Sequence, residues 1–265
     1  MRHTLLLTSL IAAGLTVPAL ADWDLPGPND KWIQEPNLNG GYDILSMQGT
    51  YPDASHVDKM VADDWLCNDL RPITEIHFWG SWREDDPAIG WTPGFRLAIY
   101  TDVPAGTGPT PLPYSTPGVE LWSLITPAVE RIWDTGIEQF YDPNPGTPLA
   151  PNPTVDSVVL QYNVVLDPAN YFSQEPGKIY WLSVQALGLE GYQGHYWGWK
   201  TSADIWNDDA AWTDLPDTDW QELWDPGHTE SLHMAFVLTV PEPRTCTLAA
   251  GLALLGFATW RRRRR

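Results

Sequence analysis

A period of two governs this chain. In Val158-Val159-Leu160-Gln161-Tyr162-Asn163-Val164 every even position is apolar, and across residues 231–240 Leu232, Met234, Phe236 and Leu238 share one face. This is the spacing of a half-buried strand, whose successive side chains point to opposite faces. Residues 73–79, 95–100 and 179–186 read the same way, with Phe95, Leu97 and Ile99 facing inward. Helical periodicity is nearly absent. Pro, Gly, Thr and Asn concentrate between the strands, above all in residues 104–117 and 142–153. Those stretches predict long surface loops, because proline cannot donate to a central ladder and these residues preset turns. The expected fold is all-β: a two-sheet β-sandwich, jelly-roll-like, with long Pro/Gly-rich loops. Residues 120–140 fit least clearly. Thr126 to Glu130 could open a helical turn, which Trp133-Asp134-Thr135-Gly136 then breaks.

Sixteen tryptophans explain how so Pro- and Gly-rich a chain can fill a core, since each ring buries on the order of 150–250 Å². Most are expected inside. Trp79, Trp82, Trp197 and Trp199 are the candidates for stacking against sugar rings. Cys67 and Cys246 are the two cysteines; the body then holds no internal disulfide, and Cys67 reads as a small buried hydrophobe.

Of the 15 Lys and Arg, seven lie at the two ends (Arg2, Arg244 and Arg261 to Arg265), whereas Glu242 is the only one of the 34 Asp and Glu to do so. Residues 22–240 therefore carry eight basic against thirty-three acidic side chains. Nucleic acid is excluded as a partner, because nothing would neutralise its phosphates. Divalent cations, basic proteins and neutral polysaccharide fit such a surface. Asn207-Asp208-Asp209 offers hard oxygens to a structural Ca²⁺, with Asp208 and Asp209 as the named ligands and Asp63-Asp64 able to join from elsewhere in the fold. No Gly-x-Ser-x-Gly elbow, His-Glu-x-x-His helix or phosphate-binding glycine loop occurs. His77, His195 and His233 lie in or beside predicted strands and read as hydrogen-bonded structural residues. No catalytic residue and no certain cofactor is expected. The leading functional expectation is a non-enzymatic domain, the alternative a carbohydrate-binding module, and the third a glycoside-active enzyme.

The ends say where the chain goes. Arg2, an apolar run over residues 5–17 and Ala19-Leu20-Ala21 form an export signal, with cleavage expected after Ala21 and general secretion machinery as the first partner. Val240-Pro241-Glu242-Pro243 precedes an apolar run over residues 246–260, which ends in Arg261, Arg262, Arg263, Arg264 and Arg265. As a helix that run is about 22 Å long, short of the ~30 Å hydrocarbon core. It can still span if the flanking arginines extend their stems to the interfaces, and the positive-inside bias then keeps the arginine end cytoplasmic. The order Pro-Glu-Pro, apolar helix, arginine cluster resembles the PEP-CTERM sorting signal of Gram-negative bacteria, with Arg244 standing where that family usually has a small polar residue. The resemblance implies an exosortase-type enzyme as partner. It also implies a transient inner-membrane stay through the C-terminal helix, followed by release to the cell surface or extracellular matrix.

Ala62-Asp63-Asp64-Trp65, Phe78-Trp79-Gly80-Ser81-Trp82, Ile99-Tyr100-Thr101-Asp102-Val103-Pro104, Tyr180-Trp181-Leu182-Ser183, Trp197-Gly198-Trp199-Lys200-Thr201-Ser202 and Trp206-Asn207-Asp208-Asp209-Ala210-Ala211-Trp212 share a style. With Lys31-Trp32-Ile33-Gln34-Glu35-Pro36, the set resembles an uncharacterised domain of exported proteins from environmental bacteria such as planctomycetes. The resemblance covers roughly residues 30–239 and implies one domain with no known activity. The expected organisation is a signal peptide (1–21), a single β domain (22–240) and a sorting signal (241–265).

Overall fold

The computed structural model describes residues 22–86, 94–188, 194–215 and 219–240. The expected signal helix with Ala19 and Ala21, and the sorting tail with Pro241, Glu242, Pro243 and Arg261 to Arg265, lie outside the described residues. Among those described, no helix is long and apolar enough to cross a membrane.

The described chain is all-β, in two sheets. Its strands begin with β1 (Asp30–Gln34), β2 (Tyr42–Leu45), β3 (Met47–Thr50), β4 (His56–Leu66) and β5 (Glu75–Trp82). They continue through β6 (Gly94–Val103), β7 (Thr116–Pro127), β8 (Val129–Tyr141), β9 (Thr154–Val165) and β10 (Ile179–Leu187). Last come β11 (Trp197–Ser202), β12 (Ala211–Asp214), β13 (Gln221–Glu222), β14 (His233–Met234) and β15 (Phe236–Thr239). One sheet has the order β1-β15-β5-β9-β8-β2-β11-β14, the other β13-β12-β4-β3-β10-β6-β7.

The alternation read from the sequence decides which faces meet. Phe95, Leu97 and Ile99 of β6 and Leu182 and Val184 of β10 close on Phe78 of β5, Leu160, Tyr162 and Val164 of β9, and Phe236 and Leu238 of β15, all in one core. Residues 120–140 depart from the expectation. No helical turn opens there: β7 and β8 are long strands meeting at Ala128, paired along β6 and β9. Ladder pairing outweighs the local turn signal, which is weak against tertiary contacts.

The first sheet is also partly closed. The end of β5 pairs with β11, Trp197 opposite Trp82 and Trp199 opposite Gly80, so β5, β9, β8, β2 and β11 form a closed five-stranded ring. Two glycines let the strands approach: a Cβ at Gly80 would lie 2.2 Å from the Gly198 carbonyl oxygen, and one at Gly198 would lie 2.7 Å from the carbonyl carbon of Asp43.

The two ends of the described chain meet on one edge. β1 runs antiparallel to β15, and the Val240 amide donates to the Asn29 carbonyl at 2.9 Å. Trp23 is buried edge-on against Trp79, 5.6 Å between centroids. Arg131 holds this segment down, donating to the Trp23 carbonyl and to Asp24, each at 2.7 Å.

Candidate functional site

A cleft of about 580 Å³ opens where the 142–153 loop faces β12, β13 and the turn that follows them. Rings line it on several sides: Tyr114, Tyr141, Trp212 and Trp224, with His228 tilted 30° to Trp224 at 6.5 Å. Between the rings stand amide and carboxyl groups of Asn144, Asn152, Gln221 and Glu222.

Each wall has a local cause. Asp142, fully buried, organises the first. It accepts from Tyr51 Oη at 2.8 Å, Thr147 Oγ1 at 2.5 Å and the Asn144 amide at 3.0 Å, while its own amide and carbonyl are paired with the Asn152 side chain. Asp225 organises the opposite turn, accepting from the amides of Gly227, Thr229 and Glu230, which holds its carboxyl below the usual range. Beneath both lies Lys59 of β4, with no exposure. Its Nζ is 3.5 Å from Asp142, 2.5 Å from Asp214 and 4.1 Å from the Trp212 ring centroid. A buried ammonium with two carboxylates and a ring face has the partners that such a charge needs.

Behind the cleft lies an acid and histidine cluster. His233 Nε2 is 3.4 Å from Asp209 and its Nδ1 is 3.8 Å from Asp63. Asp63 also accepts from Gln34 Nε2 at 3.0 Å and from the Met234 amide at 2.6 Å, and Asn207 Nδ2 donates to Asp64 at 2.5 Å. Burial alone would lower the His233 pKa, but the facing carboxyls of Asp209 and Asp63 push it up to about 10. Burial, with Asp63 beside it, raises Asp64 to about 9. Burial and the neighbouring Asp209 raise Glu222, at the cleft, to about 7. Asp156 of β9 is raised to about 8 by burial and by Asp43.

These shifts share a sign. Each group holds its proton more tightly folded than unfolded, so its contribution is complete below the unfolded pKa and is lost as pH rises through the folded one. The thermal midpoint is therefore expected to fall between pH 5 and pH 9.5, by on the order of 5 °C or more. A midpoint that is flat or rises over that range, in a pH series of melting curves, contradicts the assignment.

The structure brings together Asp63, Asp64 and the 207–209 segment, as the sequence suggested, but around a histidine. Asp209 faces the His233 ring, 3.4 Å from Nε2, and Asp208 accepts from the Ser115 amide at 2.7 Å. No group of three His, Cys, Asp or Glu suited to a metal occurs among the described residues. The four tryptophans proposed for sugar stacking are corrected: Trp79, Trp197 and Trp199 are fully buried and Trp82 nearly so. Trp82, Trp197 and Trp199 face the core between the sheets, whereas Trp79 lies on the other face of β5, covered by Trp23 and Trp133. Trp212 and Trp224 were not singled out; their signal was the Trp-x-Asp and Glu-x-Trp-x-Pro setting beside turn residues. Lys59 and Lys200 were also missed, although a lysine inside an apolar strand of so acidic a chain is a visible anomaly. Cys67 is buried and free, as expected. His77 bonds Asn163 at 2.7 Å, and His195 Nδ1 lies 2.7 Å from Asp86.

Fold and cleft define a two-sheet β domain with an aromatic, polar groove. Residues 30–239 match the family described as a domain of unknown function, DUF7901, and the chain belongs to that family. Residues 239–264 match the PEP-CTERM protein-sorting motif, which indicates an exported protein sorted to the cell envelope or surface by exosortase-type processing. No curated protein and no solved structure shows significant similarity to the chain.

Proposed function

We propose that this is a non-enzymatic, surface-displayed or matrix-borne domain that binds extracellular polysaccharide in the cleft. The observation that carries the reading is the cleft itself, where several aromatic rings alternate with amide and carboxyl groups. Sugar rings present apolar C–H faces and a belt of hydroxyls; rings take the first and amides the second. The acidic surface favours neutral or amino-bearing polymers over anionic ones. In this reading the apolar run over residues 246–260 holds the chain briefly in the inner membrane, arginines inward, until exosortase releases it.

Binding is tested on a glycan array and then by titration calorimetry against the best hit. Trp224→Ala is expected to weaken that hit about tenfold, corresponding to ~1.4 kcal/mol, with the thermal midpoint little changed. No hit on a broad array, or a hit indifferent to Trp224, sinks the proposal. A second reading rests on Glu222, whose carboxyl is raised to about 7 at the cleft wall, the range of a general acid for glycosidic bonds. It predicts reducing-sugar release that Glu222→Gln abolishes.

A further inference from the structure

The closed ring has an unusual interior. One residue from each strand meets there: Asp43 from β2, Ser81 from β5, Glu138 from β8, Asp156 from β9 and Lys200 from β11, none more than 2% exposed. Lys200 Nζ contacts the Glu138 carboxyl and lies 3.7 Å from Asp43 Oδ2. Ser81 Oγ donates to Asp156 Oδ2 at 3.0 Å. Since β2 stands between β11 and β8, the contact of Lys200 with Glu138 reaches past a strand and across the ring.

Three carboxyls share this space with one amine. Apart from their contacts with one another, Lys200 Nζ and the carboxyls of Glu138 and Asp43 have almost no polar company in this space. So dry an enclosure disfavours separated charges and favours the neutral pair, amine and carboxylic acid. Burial accordingly lowers the Lys200 pKa and raises that of Asp43, against the opposing pull that each exerts on the other. An uncharged amine held against a protonated carboxyl, with water excluded, is the reactant state for condensation. Fixed intramolecular partners of this kind react with effective molarities on the order of 10⁵–10⁸ M.

We propose that Lys200 and Glu138 join in an intramolecular isopeptide bond, with Asp43 as the proton carrier. The Nζ lone pair attacks Cδ of protonated Glu138; the N–C bond forms and the C–OH bond breaks. Asp43 takes one proton from the nitrogen and passes one to the departing hydroxyl, so that water leaves and Asp43 ends as it began. Nothing is oxidised or reduced. The product ties β11 to β8 across the ring and removes two poorly satisfied polar groups from inside it.

The exported chain, purified and unfolded in guanidinium, is digested with trypsin and mapped by mass spectrometry. Trypsin cuts after free lysine, so an open Lys200 releases peptides 132–178 and 179–200 separately. The bond predicts a single species joining residues 132–178 to the stretch that starts at Ile179 and runs past the blocked Lys200 to Arg244, the next cut site, or to the processed C-terminus where that lies earlier, lighter by about 18 Da, one water, than the two together. Recovery of free 179–200 and of 132–178 at full mass overturns the proposal, and a link to peptide 32–59, which carries Asp43, overturns the choice of Glu138. In Asp43→Asn, which keeps the side chain's shape, the linked fraction is expected to fall severalfold. Unchanged linkage there overturns the proton-carrying role.

Discussion

Replacing Trp197 with alanine is expected to lower the thermal midpoint by on the order of 10 °C, or to leave the domain unfolded, without selectively affecting ligand binding in whatever folded fraction remains. The ring is fully buried and makes edge contacts with Phe78, Phe95 and Tyr162 at 6.0, 5.0 and 5.7 Å. It thus stands where both sheets meet, over the point at which β11 closes on β5. Truncating a buried Trp costs roughly 3–5 kcal/mol, a large part of the 5–15 kcal/mol typical of a domain. At this size each kcal/mol moves the midpoint by about 2–4 °C. Near-ultraviolet circular dichroism through a melt decides it. A variant that melts normally but binds glycan poorly would return Trp197 to the surface role that its burial denies.

Lys59→Met is expected to be comparably damaging, and locally so. Methionine roughly keeps the volume but leaves Asp142 buried without its cation, a loss of about 3–5 kcal/mol. Asp142 is also the anchor of the 142–153 loop through its bonds to Thr147, Asn144 and Asn152, so the cleft wall should loosen with it. The expected result is a large fall in midpoint and loss of the glycan hit together, with partial recovery of stability in Lys59→Met combined with Asp142→Asn. A single variant as stable as the parent shows that the pair contributes nothing net.

Most of the strands could be read from residue spacing, because alternation reports directly which side chains face a core. The even positions of 158–164 and the set Leu232, Met234, Phe236 and Leu238 turn inward as read. Ring closure could not be read, since it depends on residues 80–82 finding residues 197–199, and a local pattern does not encode a distant pairing. Gly80 and Gly198 hinted at close backbone approach only once their neighbours were known. The cleft was obscured for a different reason. A tryptophan's identity does not say which face of its strand it occupies, and the Trp-Gly-Trp run offered as part of an aromatic platform lies in a strand buried along its whole length. The acidic residues were legible as a group; the histidine and lysines that pair with them were not, because such partners come from other strands.

The pairing of β1 with β15 brings the two ends of the body to one edge, joined by the bond from Val240 to Asn29. A unit whose chain arrives and departs at neighbouring points can be spliced into a surface loop of another protein without stretching either one. The same arrangement leaves the rest of the molecule clear of whatever it is attached to. This body should therefore tolerate transplantation: inserted by short linkers into a permissive loop of an unrelated host, it can fold as a graft while the host keeps its own shape.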